Sequence, residues 1–214
     1  MLVTLAGCTS TVTGTGTFGA PAPTGAPTSG APTGSPTASA ASAASGCPGG
    51  AITADGADLA GALPTTTPRG FTPEPDRDGP LTLDELLAYQ PVGQRSTVRG
   101  ALVSAGFTDA FERAWMDPGV AGRPSSEAFL IYHFATAAGA CRFAAFERAL
   151  FSFTPRAGST VPGAEGSESR TSDYWQATST ATKGTYVIEA NALSFDAPVV
   201  PWTVSLLTAT YAAL

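Results

Sequence analysis

Charge, histidine and lysine are all scarce in this chain. Only 13% of its 214 residues are charged, one histidine stands at position 133, and Lys183 is the single lysine among 11 basic residues. Asp and Glu number 17 against those 11, and no basic cluster exists. That balance lacks the electrostatic footprint of a nucleic-acid binder. With one histidine, a Ser-His-Asp or Cys-His centre would have to use His133. His133 lies between Tyr132 and Phe134 in an apolar run, where a packed core or edge imidazole is the expectation. The sequence has no G-x-S-x-G elbow, P-loop, dinucleotide fingerprint, His/Cys metal spacing or Asp-rich calcium loop. The acidic pairs Asp84-Glu85, Asp76/Asp78 and Glu165/Glu168 fall in polar or loop-like stretches, which reads as solvated surface rather than a paired-carboxylate centre. No catalytic residue, metal ligand or cofactor is therefore assigned. No apolar run reaches the roughly 18 residues of a membrane span.

Cysteine is also rare, and its three positions organise the chain. Leu5-Ala6-Gly7-Cys8 resembles the lipobox of bacterial lipoproteins, which implies that Cys8 carries the lipid. Only Met1 to Gly7 precede it, and none is charged. A signal has a basic n-region and roughly 7–15 apolar residues, so residues 1–8 read as a truncated signal. From Thr9 to Gly46 every residue except Val12 and Phe18 is Ala, Gly, Pro, Ser or Thr. With no charge and almost nothing to bury, residues 9–46 read as a disordered tether, with an end-to-end distance of roughly 35 Å as a coil. Residues 47–214 are long enough for one domain with a real core. If the chain is exported, Cys47 and Cys141 are the remaining pair, and a disulfide between them would close a loop of about 95 residues, worth roughly 4–5 kcal/mol.

Within 47–214, residues 47–80 are rich in Pro, Gly and Thr and are expected to wrap the domain irregularly. Leu81 to Leu87 predicts a short helix capped by Thr82, with Glu85 completing a capping box. Ser96 to Ala105 predicts a second helix, with Val98, Leu102 and Ala105 on one face and Gly106 as its stop. Phe107 to Met116 fits either a helix stripe or a strand face. Ala128 to Phe134 reads as a buried strand, and Asp117-Pro118-Gly119 as the turn of a hairpin before it. Thr136 to Phe151 predicts a helix whose stripe is Phe143, Phe146 and Leu150, with Cys141 nearly opposite. Ser167–Ser172, Tyr174–Thr182 and Thr185–Leu193 follow as strands, with Lys183-Gly184 a tight turn. A closing helix opens at Pro201, its stripe Val204, Leu207, Tyr211 and Leu214. The expected fold is α+β, a single antiparallel sheet of about four to five strands with helices packed on one face.

Ala105-Gly106-Phe107 with Phe111, Arg113 and Trp115, then Phe134 to Gly139-Ala140, then Val161-Pro162-Gly163-Ala164 form a pattern over roughly residues 81–214. It resembles actinobacterial exported lipoproteins of uncharacterised function, whose domains look like the extracellular sensor domain of a mycobacterial Ser/Thr kinase. The many Ala, Gly, Pro and Arg residues agree with such a GC-rich source. The resemblance implies a helix-packed antiparallel sheet on the extracytoplasmic face of the cell membrane, and it carries over no catalytic residue. Two function classes follow. The first is a lipid-anchored, non-enzymatic binding or sensing protein that recognises an apolar envelope molecule or a protein partner. Its contacts would come from Tyr174, Trp175 and Trp202, at a strand start and a helix start. The alternative is an exported hydrolase using His133 and a nearby carboxylate.

Overall fold

The computed structural model describes residues 59–67, 69–117 and 125–214. The tether, Cys8, Cys47 and the turn after Asp117 lie outside the described residues. Contacts divide the chain into Met1–Ala43 and Ala44–Leu214, and everything below belongs to the second unit.

Seven strands form one antiparallel sheet: β1 (Thr72–Leu81), β2 (Phe107–Asp117), β3 (Ser125–Phe134), β4 (Thr154–Pro155), β5 (Glu165–Arg170), β6 (Trp175–Lys183) and β7 (Tyr186–Ser194). Their order is β1-β2-β3-β7-β6-β5-β4. The helices are α1 (Leu59–Ala62), α2 (Leu83–Ala88), α3 (Arg95–Ala105), α4 (Ala137–Phe151) and α5 (Val200–Ala213). The two middle strands, β3 and β7, are those whose sequences are apolar at successive positions, as burial on both faces requires. Phe129, Ile131, Tyr186 and Ile188 point to one face and pack with Trp115, Leu206 and Leu207 under α5. Leu130, Tyr132, Phe134 and Val187 point to the other, and pack with Leu86, Leu102 and Phe143 from α2, α3 and α4.

The sheet therefore has seven strands, not four to five, and it carries helices on both faces rather than one. The strand count rises mainly because of β1, hidden in the Thr-Pro-Glu-Pro-Asp-Arg-Asp-Gly-Pro stretch. Proline and charge argue against a central strand but suit an edge, where no outer partner needs the missing N–H. β4 adds a two-residue pairing with β5. Phe107 to Met116 is a strand: Phe111, Arg113 and Trp115 face α5's side, while Ala110, Glu112 and Ala114 face α2's. Phe107, Phe111 and Trp115 fall four residues apart, a spacing that a helix stripe and a strand face share.

Local signals elsewhere form as the sequence dictates. Thr82 and Glu85 make the complete capping box of α2. Gly106 ends α3 in the left-handed region at φ 79°, where a Cβ would be strained. Gly184, at φ 57°, turns β6 into β7. The inward faces of the two long helices differ from expectation. α4 buries Gly139, Ala140, Phe143 and Glu147, so the inward face turns from the predicted Phe143–Phe146–Leu150 stripe toward Gly139 and Glu147, and Leu150 is only half-buried. α5 buries Trp202, Thr203, Leu206, Leu207 and Thr210. That helix is apolar nearly all round, so its period is faint, and the small Ala177, Ser179 and Ala181 of β6 let it settle closely. Its buried Thr203 hydroxyl meets Ser179 Oγ at 2.7 Å and donates to the Val200 carbonyl.

Candidate functional site

A cavity of about 280 Å3 opens at the β1 edge, lined by residues that include Asp76, Arg77, Asp78, Glu85, Tyr89 and Glu112. It exists because β1 loses register with β2 between Pro73 and Asp78, a bulge that re-aims side chains. Arg77 turns inward and pairs with Glu112, whose side chain is 1% exposed at the cavity floor. Tyr89, the C-terminal cap of α2, donates its hydroxyl to the other Glu112 oxygen at 2.8 Å. The Arg77 guanidinium also lies 5.7 Å from the Tyr89 ring centroid. Burial, and then the bond to Glu112, push the Tyr89 phenol above its usual range. The floor is thus a buried carboxylate held by one cation and one phenol, both reachable from solvent.

Behind this cavity, in the layer between α4 and the sheet, lies a second polar cluster. Glu112 and Glu189 flank Leu130 on neighbouring strands of the same face, about 10 Å apart at two strand spacings. Glu189 accepts from the Tyr132 hydroxyl at 3.1 Å and from Asn191 Nδ2 at 2.6 Å. Asn191 is oriented by the Thr178 hydroxyl, which donates to its Oδ1 at 2.6 Å. Glu147 reaches down from α4 and hydrogen-bonds Glu189. Burial and the neighbouring Glu189 hold the Glu147 carboxyl well above the usual range. Glu189 is raised as well, again by burial, with its hydrogen bonds opposing the shift. The void bounded by Leu86, Gln90, Tyr132, Phe143 and Glu147 holds about 10 Å3, room for one water and not for an acyl chain.

The three aromatics singled out in sequence lie toward one end of the sheet. Trp175 starts β6 opposite Ser194 and is half-buried, with the exposed Arg170 guanidinium 4.3 Å from its ring centroid. Tyr174 meets Phe195 edge-on at 6.2 Å. Trp202 is core: it is 8% exposed, with Phe71 edge-on at 5.9 Å and Arg69 at 4.3 Å over its ring. On the same face Glu127 and Trp115 are cross-strand neighbours, each fully buried. Neither Glu127 oxygen nor the Trp115 indole nitrogen finds a hydrogen bond of good geometry. Burial lifts the Glu127 carboxyl to about 6, opposed by the nearby Thr67 hydroxyl and Arg69 charge.

His133 ends β3 half-exposed, its Nδ1 3.4 Å from Asp109 Oδ2 and its ring stacked on Tyr186 at 4.7 Å. Cys141 lies half-buried on α4, while Cys8 and Cys47 are outside the described residues. The acidic pairs of the sequence are largely engaged at the surface. Asp84 pairs with Arg99, Asp78 with Arg113, Glu165 with Arg148, and Glu85 caps α2. The inward-facing carboxyls that shape the structure are single acids: Glu112, Glu127 and Glu147, all buried, and Glu189, half-buried. Composition alone passes over them. The available signal was a lone Glu at an inward register position of an otherwise apolar strand or helix.

No protein-family model matches this chain, and no curated protein matches it. A solved structure similar to it is the extracellular domain of PknH from Mycobacterium tuberculosis, at 11% identity and a TM-score of 0.41, covering 53% of this chain and 67% of that one. A likeness at that level carries no argument about function.

Proposed function

We propose that this is a lipid-anchored cell-envelope protein of actinobacterial type, held on the extracytoplasmic face of the membrane through Cys8. Residues 9–46 serve as its tether, residues 47–214 as a non-enzymatic binding domain, and a Cys47–Cys141 disulfide fastens the start of that domain to α4. The observation that supports a binding role is the β1-edge cavity, with its carboxylate floor held by Arg77 and Tyr89. A polar ligand, or a polar side chain of a protein partner, suits that lining. The void behind it, at about 10 Å3, offers an acyl chain no room. Tyr174 and Trp175, with Arg170 over the indole, are the proposed partner contacts at the sheet end, and Trp202 supports them from the core.

Native mass spectrometry of the exported, unreduced protein tests this reading. A polar molecule that co-purifies with it and is lost in Tyr89→Ala supports the cavity as the binding site. A co-purifying lipid retained by that variant overturns it. The Asp109–His133 contact supplies the one observation that favours an exported hydrolase instead. His133→Ala separates the two, because it abolishes a hydrolase and leaves the binding domain folded and functional.

A further inference from the structure

The hydrogen bond between Glu147 and Glu189 joins two side chains that, when ionised, only accept. It therefore contains a proton. Which carboxyl holds it follows from the neighbours. Glu189 already receives Tyr132 Oη and Asn191 Nδ2 on its two oxygens, the environment of a carboxylate. Glu147 is 3% exposed, and its Oε2 has no partner, the environment of a neutral acid. Glu147 belongs to α4 and Glu189 to β7, so this proton bridges helix and sheet.

We propose that the Glu147–Glu189 pair is a proton-binding switch: it fastens the C-terminal half of α4 to the sheet when it holds its proton, and lets that half lift when the proton leaves. The groups facing the pair offer no other way to hold a second negative charge. From β3 comes Tyr132, already committed to Glu189. From β6 comes Thr180, opposite Glu189, with its hydroxyl buried and unpartnered. From β2 comes Glu112, a further carboxylate, whose charge Arg77 and Tyr89 already answer. Gln90 borders the same void. Arg148, next to Glu147 on α4, is spent on Glu165 of β5. Among the described residues no cation is paired with either carboxyl. Loss of the proton sets two carboxylates against each other, Glu147 buried and Glu189 half-buried, where desolvation of Glu147 and mutual repulsion oppose the closed packing.

The rest of α4 defines the hinge. Gly139 packs so closely on α3 that a Cβ there would overlap the Ala105 carbonyl oxygen, which pins the first turn. Farther along, Phe143 lies 5.2 Å from the Tyr132 ring and 5.3 Å from Phe134, and Phe151 is already 39% exposed. Lifting the C-terminal half would bare these rings and open the 10 Å3 void into a groove.

Amide hydrogen exchange of the full chain between about pH 5 and pH 9, corrected for intrinsic chemical exchange, tests the switch. Peptides covering residues 143–153 should lose protection with rising pH, approaching about tenfold per unit above the midpoint for one proton. Glu147→Gln supplies a permanent donor to Glu189 and should keep the segment protected at every pH. Wild-type protection that does not change with pH, or a variant with the wild-type slope, overturns the proposal. Carboxyl 13C shifts of the unaltered protein make the same test without a variant. A midpoint coincident with the loss of protection supports the switch, and carboxyls that titrate apart from it overturn it.

Discussion

The buried carboxyls of this protein differ in the donors built around them. Glu112 has two, Arg77 and Tyr89; Glu127, three register pairs away on the opposite face, has no well-made bond. Its raised value of about 6 fixes the sign of a pH effect. The folded state holds the proton more tightly than the unfolded chain, so the stability it contributes is whole below about 4.5 and is lost as pH rises through about 6. The loss amounts to about 2 kcal/mol. Glu127→Gln should remove that part of the slope, leaving the variant more stable than wild type at pH 7 and nearly equal at pH 4.5, as urea unfolding at the two pH values would show. Arg77→Ala is the opposite experiment. It leaves Glu112 buried with only a phenol for company, and should cost about 1–3 kcal/mol by the same measurement, the partial exposure of Arg77 keeping it below a fully buried pair. Neither role is written in composition. What the sequence does contain is position: Glu189 in Tyr-Val-Ile-Glu-Ala-Asn-Ala-Leu and Glu147 in Phe-Ala-Ala-Phe-Glu-Arg-Ala-Leu-Phe are lone acids within largely apolar segments.

At the level of elements, legibility followed the strength of local chemistry. α2 was readable because a Thr and a Glu three residues apart satisfy each other's backbone, and α3 because Gly106 alone suits its left-handed stop. β3 was readable from the run Ala128 to Phe134, and β7 from the tight turn Lys183-Gly184 that sets it against β6. β1 was not, since its prolines mark an edge only once a neighbour is known, and neither were the inward faces of α4 and α5, which packing rather than period selects. α4 illustrates this well. Its alignment is set by a glycine: Gly139→Ala would drive a methyl group into the Ala105 carbonyl oxygen of α3. Because that atom is backbone, relief requires moving a helix, and the variant should lose about 2–3 kcal/mol, seen as a lower Tm with unchanged far-UV circular dichroism at low temperature. Thr136→Ala, which removes the cap hydroxyl that accepts from the Gly139 N–H, should cost only about 1 kcal/mol. The ratio of these two effects distinguishes helix packing from helix initiation.

For the whole molecule, helices cover both faces of the sheet. On the α5 side β6 presents Ala177, Ser179 and Ala181, small residues that admit a close helix, and no sequence period announces that second layer. The proposed Cys47–Cys141 bridge belongs to this scale. In the unreduced, exported protein it should lower the mass by two hydrogens relative to the reduced form, and Cys47→Ser should destabilise the domain by about 4 kcal/mol or less. An unchanged mass on reduction would remove the bridge from the account.

Arg113 has a mechanical meaning. Standing on β2, its guanidinium bonds the carbonyls of Ala60, Leu63 and Pro64 while Nε holds Asp78 of β1. A protein anchored at its amino end receives tension from that side. If the chain is anchored through Cys8 as proposed, the load would arrive at three carbonyls held by one guanidinium, alongside Leu63 and Phe71 seated in the core. Under such a load those bonds would have to yield together before the first strand begins to part from its neighbour.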